Sequence, residues 1–503
     1  MPEMAKQQAD PRRWKALIFI ALAQLMVVLD ATIVNIALPS AQESLHISEG
    51  NKQWVITAYA LAFGGLLLFG GRLADLWGRR QTFIIGLLGF AAASAIGGAA
   101  VNTGMLLGAR ALQGVFGALL APAALSLLAV TFTDPKERAK AFGVFGAIAG
   151  GGGAVGLILG GVLTEYMDWR WTFYVNIPFA AVAVAGAIMV ISEPSGSRNP
   201  SKLDIPGVLL ATTGLVSLVY GFTRAEEDGW TAGATIGLFI AAVVLLAAFV
   251  IVEGRVKNPL LPLRVLTERN RAGVYMSLGL AVIGMFGLFL FLTYYLQIVK
   301  DYSPVTTGLA FLPMIATMIT GSTQIGARLM TRVPPRLLMG PGFLIAALGM
   351  GLLTQLDTDS SYAGLILPAM LLLGLGMGTA FMPAMSLATH GVQPRDAGVA
   401  SAMVNTSQQV GGAIGTALLN TIAASATTEY FKDHVRDGGP SKGLELTALV
   451  EGYTTAITWA VVILLVASAI AFTFVNTGPQ GGQAATASGD GSEDEVPVPV
   501  MAH

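Results

Sequence analysis

The chain has 503 residues, 54% of them hydrophobic and 12% charged, with a mean hydropathy of +0.67 and a formal net charge of −1. That balance excludes an ordinary soluble domain and marks a polytopic membrane protein, in which the placement of Lys and Arg matters more than their sum. The absence of cysteine and a total of four histidines exclude disulfides, thiolate metal sites and thiol catalysis, and leave little for a metal cluster.

About twenty apolar residues cross the hydrocarbon as a helix. Windows of that length place spans near 16–38, 54–74, 81–101, 104–131, 141–163, 170–191, 204–222, 231–252, 272–297, 305–327, 337–354, 362–386, 399–425 and 453–475. The first is too long for a signal-peptide core and contains Asp30, so it is read as a span. The stretch after Asn476 is rich in Gly, Ser, Pro and acid, and predicts a disordered tail.

Alternating these fourteen spans from a cytoplasmic N terminus puts 21 Lys and Arg on the inside against 7 outside, with Arg110 left within a span. The basic excess predicts that both termini are cytoplasmic, in a multi-pass protein of the cell membrane. The chain also repeats itself. "GGRLADLWGRR" (Gly70 to Arg80), after span 2, aligns with "GARLMTRVPPR" (Gly326 to Arg336), after span 10; "GGAVG" (Gly152 to Gly156) in span 5 resembles "GGAIG" (Gly411 to Gly415) in span 13. Both pairs lie eight spans apart, as expected of a parallel six-helix repeat with two helices inserted between its copies. The expected organisation is a cytoplasmic segment 1–15, a six-helix bundle 16–195, inserted helices 7 and 8 with linkers over 196–255, a second bundle 256–475, and a cytoplasmic tail 476–503.

"GGRLADLWGRR" resembles the loop 2–3 signature of the major facilitator superfamily. "LDATIVNIALP" (Leu29 to Pro39), "RALQGVFGA" (Arg110 to Ala118) and "DWRWTFYVNIP" (Asp168 to Pro178) resemble signatures of its fourteen-spanner drug:proton antiporter branch. The likeness covers about residues 15–475. It implies an all-α major facilitator fold whose two bundles alternate access, exchanging a lipophilic, often cationic, compound for protons without a cofactor. Where the family carries a proline after the middle glycine of its helix 5 motif, this chain has Leu157.

An acid in mid-span costs about 2.5–3.5 kcal/mol on insertion scales, so Asp30 is expected to face a water-filled cavity or a partner. It lies eight residues below Leu38, where span 1 is expected to end, and Arg110 lies eight residues below Asn102 at the start of span 4, about 12 Å down in each case. The two charges are therefore expected to meet. Burial raises the proton affinity of a carboxylate and a nearby arginine lowers it, so motion of Arg110 relative to Asp30 converts conformation into proton binding; the bland reading is a static pair pinning helix 1 to helix 4. No other acid lies deep in a span. One titrating site carries at most one proton per cycle.

In the loop after span 2, Asp75 sits among Arg72, Arg79 and Arg80. A solvated charge cluster is ordinary there, but the resemblance implies a latch, with Asp75 accepting hydrogen bonds from a neighbouring Arg or a helix N-terminus of the same half, and Gly71 and Gly78 allowing close approach. The glycines from Gly146 to Gly161 suit a closely packed or bending helix. Candidates for a substrate cavity are Asn35, Tyr59, Phe63, Phe286, Phe289, Tyr294, Asn405, Gln408 and Gln409, against the alternative that they are core, packing or lipid-facing groups. Trp169, Trp171 and Tyr174 read as an interfacial anchor rather than a site.

No nucleotide-binding Gly-x-x-x-x-Gly-Lys-Ser/Thr loop, metal cluster or large soluble domain is present, so neither an enzyme nor an ATP-driven pump is expected. The expected partners are protons, the bilayer and a small lipophilic substrate, with no nucleic acid, and the chain is expected to work as a monomer. Two alternatives remain at this stage: a proton-coupled transporter of one metabolite or self-made natural product, and a non-transporting receptor or lipid-handling scaffold on the same fold.

Overall fold

The computed structural model describes residues 11–47, 54–191, 203–438 and 441–478. Its long helices are α1 (Arg13–Leu45), α2 (Trp54–Trp77), α3 (Arg79–Gly98), α4 (Thr103–Thr131), α5 (Pro135–Tyr166), α6 (Asn176–Val190), α7 (Ile205–Glu227) and α8 (Gly233–Glu253). They continue with α9 (Arg269–Tyr294), α10 (residues 304–329, in several pieces with a π-helical stretch Gly321–Gly326), α11 (Arg336–Leu353), α12 (Leu367–Ala388), α13 (Ala397–Gly438) and α14 (Lys442–Phe474). Thirteen helices among the described residues are long and apolar enough to cross a membrane. The glycine-rich α5, 32 residues long, occupies the place of the remaining span. The tail expected to be disordered lies outside the described residues apart from its first three.

Helix ends differ from the apolar windows where polar sequence carries a helix past the lipid. α1 continues beyond Leu38 to Leu45, and α13 has 42 residues, about 63 Å at the helical rise and roughly twice the hydrocarbon thickness. α14 begins at Lys442, well before its apolar window. Extending an existing helix needs no new nucleus, so hydrophilic residues continue it into water. Hydropathy detects the lipid and not the helix terminus.

Two sets of helices pack among themselves. α1 lies against α5 and α6, and α4 against α2 and α3; α11 lies against α12 and α14, and α9 and α13 against each other and α14. The sets meet where α2 packs on α13 and α5 packs on α10 and α12. α7 and α8 form a hairpin whose α7 touches α2 and α13, while only 17% of the most apolar window of α8 is buried, leaving it at the lipid boundary. Alternation puts the starts of α1, α3, α5, α7, α9, α11 and α13 on one face, here called the basic face, and their ends on the far face.

Small residues set the close spacings. A Cβ at Gly156 would collide with the Thr32 hydroxyl, one at Gly160 would lie 2.9 Å from Ile33, and one at Gly152 2.9 Å from Val28. α5 therefore lays a glycine stripe on α1. On the other side of the bundle, a Cβ at Gly114 would lie 2.5 Å from the Tyr59 carbonyl, which brings α4 onto α2. These contacts position Asp30 and Arg110.

Candidate functional site

Asp30 and Arg110 form a fully buried pair, with Arg110 Nη1 donating to Asp30 Oδ2 at 2.7 Å. The expected meeting of the two charges occurs. Three further residues complete the cluster: Gln113 Nε2 donates to Asp30 Oδ1 at 2.8 Å, Asn176 Nδ2 donates to the same oxygen at 2.9 Å, and both amides also donate to Ser94 Oγ. Donors from α4 and α6 thus converge on the carboxylate of α1, and Ser94 of α3 ties the two amides together. Arg110 has other acceptors as well, the Val55 carbonyl at 3.0 Å and Gln113 Oε1 at 2.9 Å, and its guanidinium lies 4.5 Å from the centre of the Tyr59 ring. A buried charge left unpaired costs several kcal/mol. Here, protonation of Asp30 would still leave the arginine held by a carbonyl, an amide oxygen and a ring face, so the pair can part without orphaning the cation.

At the basic face, Asp75 is buried and accepts from Arg79 Nη2 at 3.0 Å, from Gly398 N at 2.9 Å and from Val399 N at 3.2 Å. The expected helix N-terminus is therefore that of α13, in the other half of the chain and not the same half. Asp75 acts as an N-cap supplied from across the bundle interface, where unsatisfied N–H groups and the helix dipole favour a carboxylate. The approach is backbone to backbone: a Cβ at Gly71 would lie 2.5 Å from the Gly398 carbonyl oxygen. Gly78 serves differently from expectation, since its φ of 107° provides the turn between α2 and α3 that side chains rarely adopt. Arg79 Nε donates to Ser126 Oγ at 2.6 Å, Arg80 donates to the Ala187 and Ile188 carbonyls at the end of α6, and Arg72 is buried at 2% exposure. A second inter-bundle contact lies opposite, where Arg138 donates to Thr389 Oγ1 at 2.8 Å and Ser322 Oγ donates to the Gly143 carbonyl at 2.8 Å. The basic face is closed.

A family model described as Major Facilitator Superfamily matches residues 20–416. The chain belongs to the major facilitator superfamily. It is 53% identical over 475 residues to the puromycin resistance protein pur8 of Streptomyces alboniger, covering 94% of this chain and 93% of that protein. It is 38% identical over 417 residues to the cephamycin export protein CmcT of Amycolatopsis lactamdurans, covering 82% of this chain and 85% of that one. Among solved structures, the human organic anion transporter MFSD10 (TETRAN) superposes with a TM-score of 0.63 at 16% identity, over 92% of this chain and all of that one, a likeness of fold alone. The superfamily consists of membrane transporters and not enzymes.

Within this major facilitator chain the remaining candidates separate. Tyr59 and Phe63 are buried and stacked on each other at 5.4 Å, facing Arg110 and α4 rather than an open cavity. Phe289 stacks on Phe311 at 5.3 Å, whereas Phe286 and Tyr294 are 48% and 46% exposed, Phe286 along the glycines Gly412 and Gly415 of α13. Asn405 donates to the Ser401 carbonyl of its own helix, and Gln408 and Gln409 are half-buried, with the Gln409 Cβ near Gly64 of α2. The side chains of Asn35 and Leu157 lie outside the described set. The reading of "DWRWTFYVNIP" as an anchor alone needs correction. Trp169 is buried at 3% exposure and packs edge-on to Phe173, while Asn176 from the same stretch reaches Asp30. Gln113, one turn from Arg110 in "RALQGVFGA", was equally visible; its i,i+3 spacing put it on the arginine's face.

Proposed function

We propose that the chain is a plasma-membrane exporter that exchanges a small antibiotic-class molecule for one proton by alternating access, with the basic face in the cytoplasm. Its relatives' names point to antibiotics: puromycin resistance for one, cephamycin export for another. The observation that carries the coupling is the Asp30–Arg110 pair, buried yet furnished with alternative acceptors for the arginine. In this reading the conformation is outward-open: Asp30 is reached from outside and takes a proton, the pair loosens, and the far side closes while the Asp75 latch on α13 releases. Loss of the proton to the cytoplasm restores the pair after substrate has entered. No cofactor takes part, the proton gradient supplies the energy, and one chain holds both bundles and so acts as a monomer. The preferred substrate is lipophilic and monovalent cationic.

A narrower reading, an exporter dedicated to one natural product, is favoured by the fact that each of the two relatives is named for a single antibiotic. Uptake of labelled puromycin and of unrelated lipophilic cations into inverted vesicles separates the two. The broad reading expects uptake of several compounds, abolished by a protonophore and by Asp30→Asn at matched expression. Uptake at the wild-type rate by Asp30→Asn refutes the assignment of coupling to Asp30.

A further inference from the structure

Outside the Asp30 cluster and the gate, one group of ionisable side chains has no assigned role. Asp204 begins α7 and Glu253 ends α8, so the two carboxyl groups meet at the basic-face end of the inserted hairpin, 7% and 4% exposed. One oxygen of each is occupied: Asp204 Oδ1 accepts from Gly207 N at 3.0 Å, and Glu253 Oε2 accepts from Leu261 N at 3.1 Å. The other two, Asp204 Oδ2 and Glu253 Oε1, are buried with no donor. Both aim at one point, since a Cβ built on Gly207 would strike each of them, and the two side chains are within hydrogen-bond reach of each other.

Two carboxyl oxygens that face each other in a buried site repel when both are ionised, and bond when one carries a proton. Among the described residues no group of three or more His, Asp or Glu side chains comes together to hold a metal ion. The charged neighbours leave the pair alone. Among the described residues Arg255, Lys257 and Arg264 are exposed, and neither carboxylate forms an ion pair with Lys or Arg; Asp396, just before α13, is held by Arg264 Nη2 at 2.5 Å.

We infer that Glu253 holds a proton against Asp204, forming a second proton site that sets how firmly the basic-face gate closes. The path is short. Glu253 holds Leu261 in the connection after α8; the short helix Leu263–Thr267 that follows carries Arg264, which holds Asp396; and Asp396 immediately precedes the α13 turn whose Gly398 and Val399 hold Asp75. A shared proton keeps Glu253, and the connection it holds through Leu261, against Asp204. Its loss leaves two repelling carboxylates, which drive Glu253 and the connection away from Asp204 and loosen the N-terminus of α13. A protonated cytoplasm therefore favours the closed gate.

The chain has no cysteine, so a single Ser322→Cys substitution at the inter-bundle contact gives an isosteric, background-free reporter of gate opening. Its reaction with a water-soluble maleimide is followed in detergent from about pH 5 to about pH 9, the range over which buried carboxyl groups titrate. Glu253→Gln supplies a permanent donor to Asp204, and the ratio of the rates without and with this substitution cancels ionisation of the thiol itself. The expected ratio is near one at low pH and rises about five-fold or more as the pair ionises, with Asp204→Asn behaving as Glu253→Gln does. The rise persists in an Asp30→Asn background, which keeps this site separate from the transport site on which the proposed function rests. A flat ratio for both variants, a rise abolished by Asp30→Asn, or labelling that follows sodium or calcium rather than pH would overturn the inference. Monodisperse elution of each variant guards against misfolding, and the two independent isosteric substitutions keep the test decisive if one fails.

Discussion

Asp30 is held by three side-chain donors, from Arg110, Gln113 and Asn176, and it is this number that lets a carboxylate persist in an apolar helix. Hydrogen bonds to an ionised group favour the ionised form. Removing the Asn176 amide by Asn176→Ala leaves the ion pair intact but takes away one such bond, worth about 1.5 kcal/mol or more. Export should therefore fall several-fold at matched expression. Export rates in proteoliposomes check this; a wild-type rate would reduce Asn176 to packing. The Asp30–Arg110 pair could be read from two depths in the sequence, because helical rise is regular. Asn176 could not be placed that way, since it lies just after the short helix Trp171–Tyr174, whose bend fixes the direction of α6 and depends on tertiary packing.

At the scale of elements, the proposed gate rests on backbone contact between α2 and α13, and its glycines leave no room for a side chain. A Cβ at Gly398 would strike the Gly71 carbonyl and lie 2.9 Å from Asp75 Oδ1. Gly398→Val should therefore prevent closure of the basic face, lowering export by at least about tenfold while substrate binding remains, because a misplacement of about 1 Å can by itself cost two orders of magnitude in a positioned site. Maleimide labelling of Ser322→Cys in that background should quicken. Wild-type export by Gly398→Val would show that the contact is incidental to the cycle. The sequence made Asp75 and its glycines visible as a motif, yet pointed the latch at its own half. The partner lies 323 positions away along the chain, and no local pattern encodes which helix N-terminus arrives there.

For the whole molecule, the proposed energetics rest on Asp30, the carboxylate buried deep among the described helices. Most of the membrane-crossing helices were legible because lipid imposes a strict hydropathy rule. The far reach of α13 and α14 was not, because water imposes none. If, as proposed, one proton exchanges for one monovalent cation, the cycle moves no net charge, and a membrane potential, worth about 2.3 kcal/mol per charge per 100 mV, has nothing to act on. The Asp204–Glu253 site sits at one end of the hairpin, away from the Asp30 cluster, and in this account adds no transported proton. The most direct measurement is substrate-driven proton counterflow: purified protein in proteoliposomes with an internal pH dye, a gradient of a monovalent lipophilic cation, and the potential set by potassium and valinomycin. One proton should move against each substrate molecule, at a rate indifferent to the imposed potential, and none in Asp30→Asn. Transport that follows the potential, or substrate flux with no opposing proton, would contradict this.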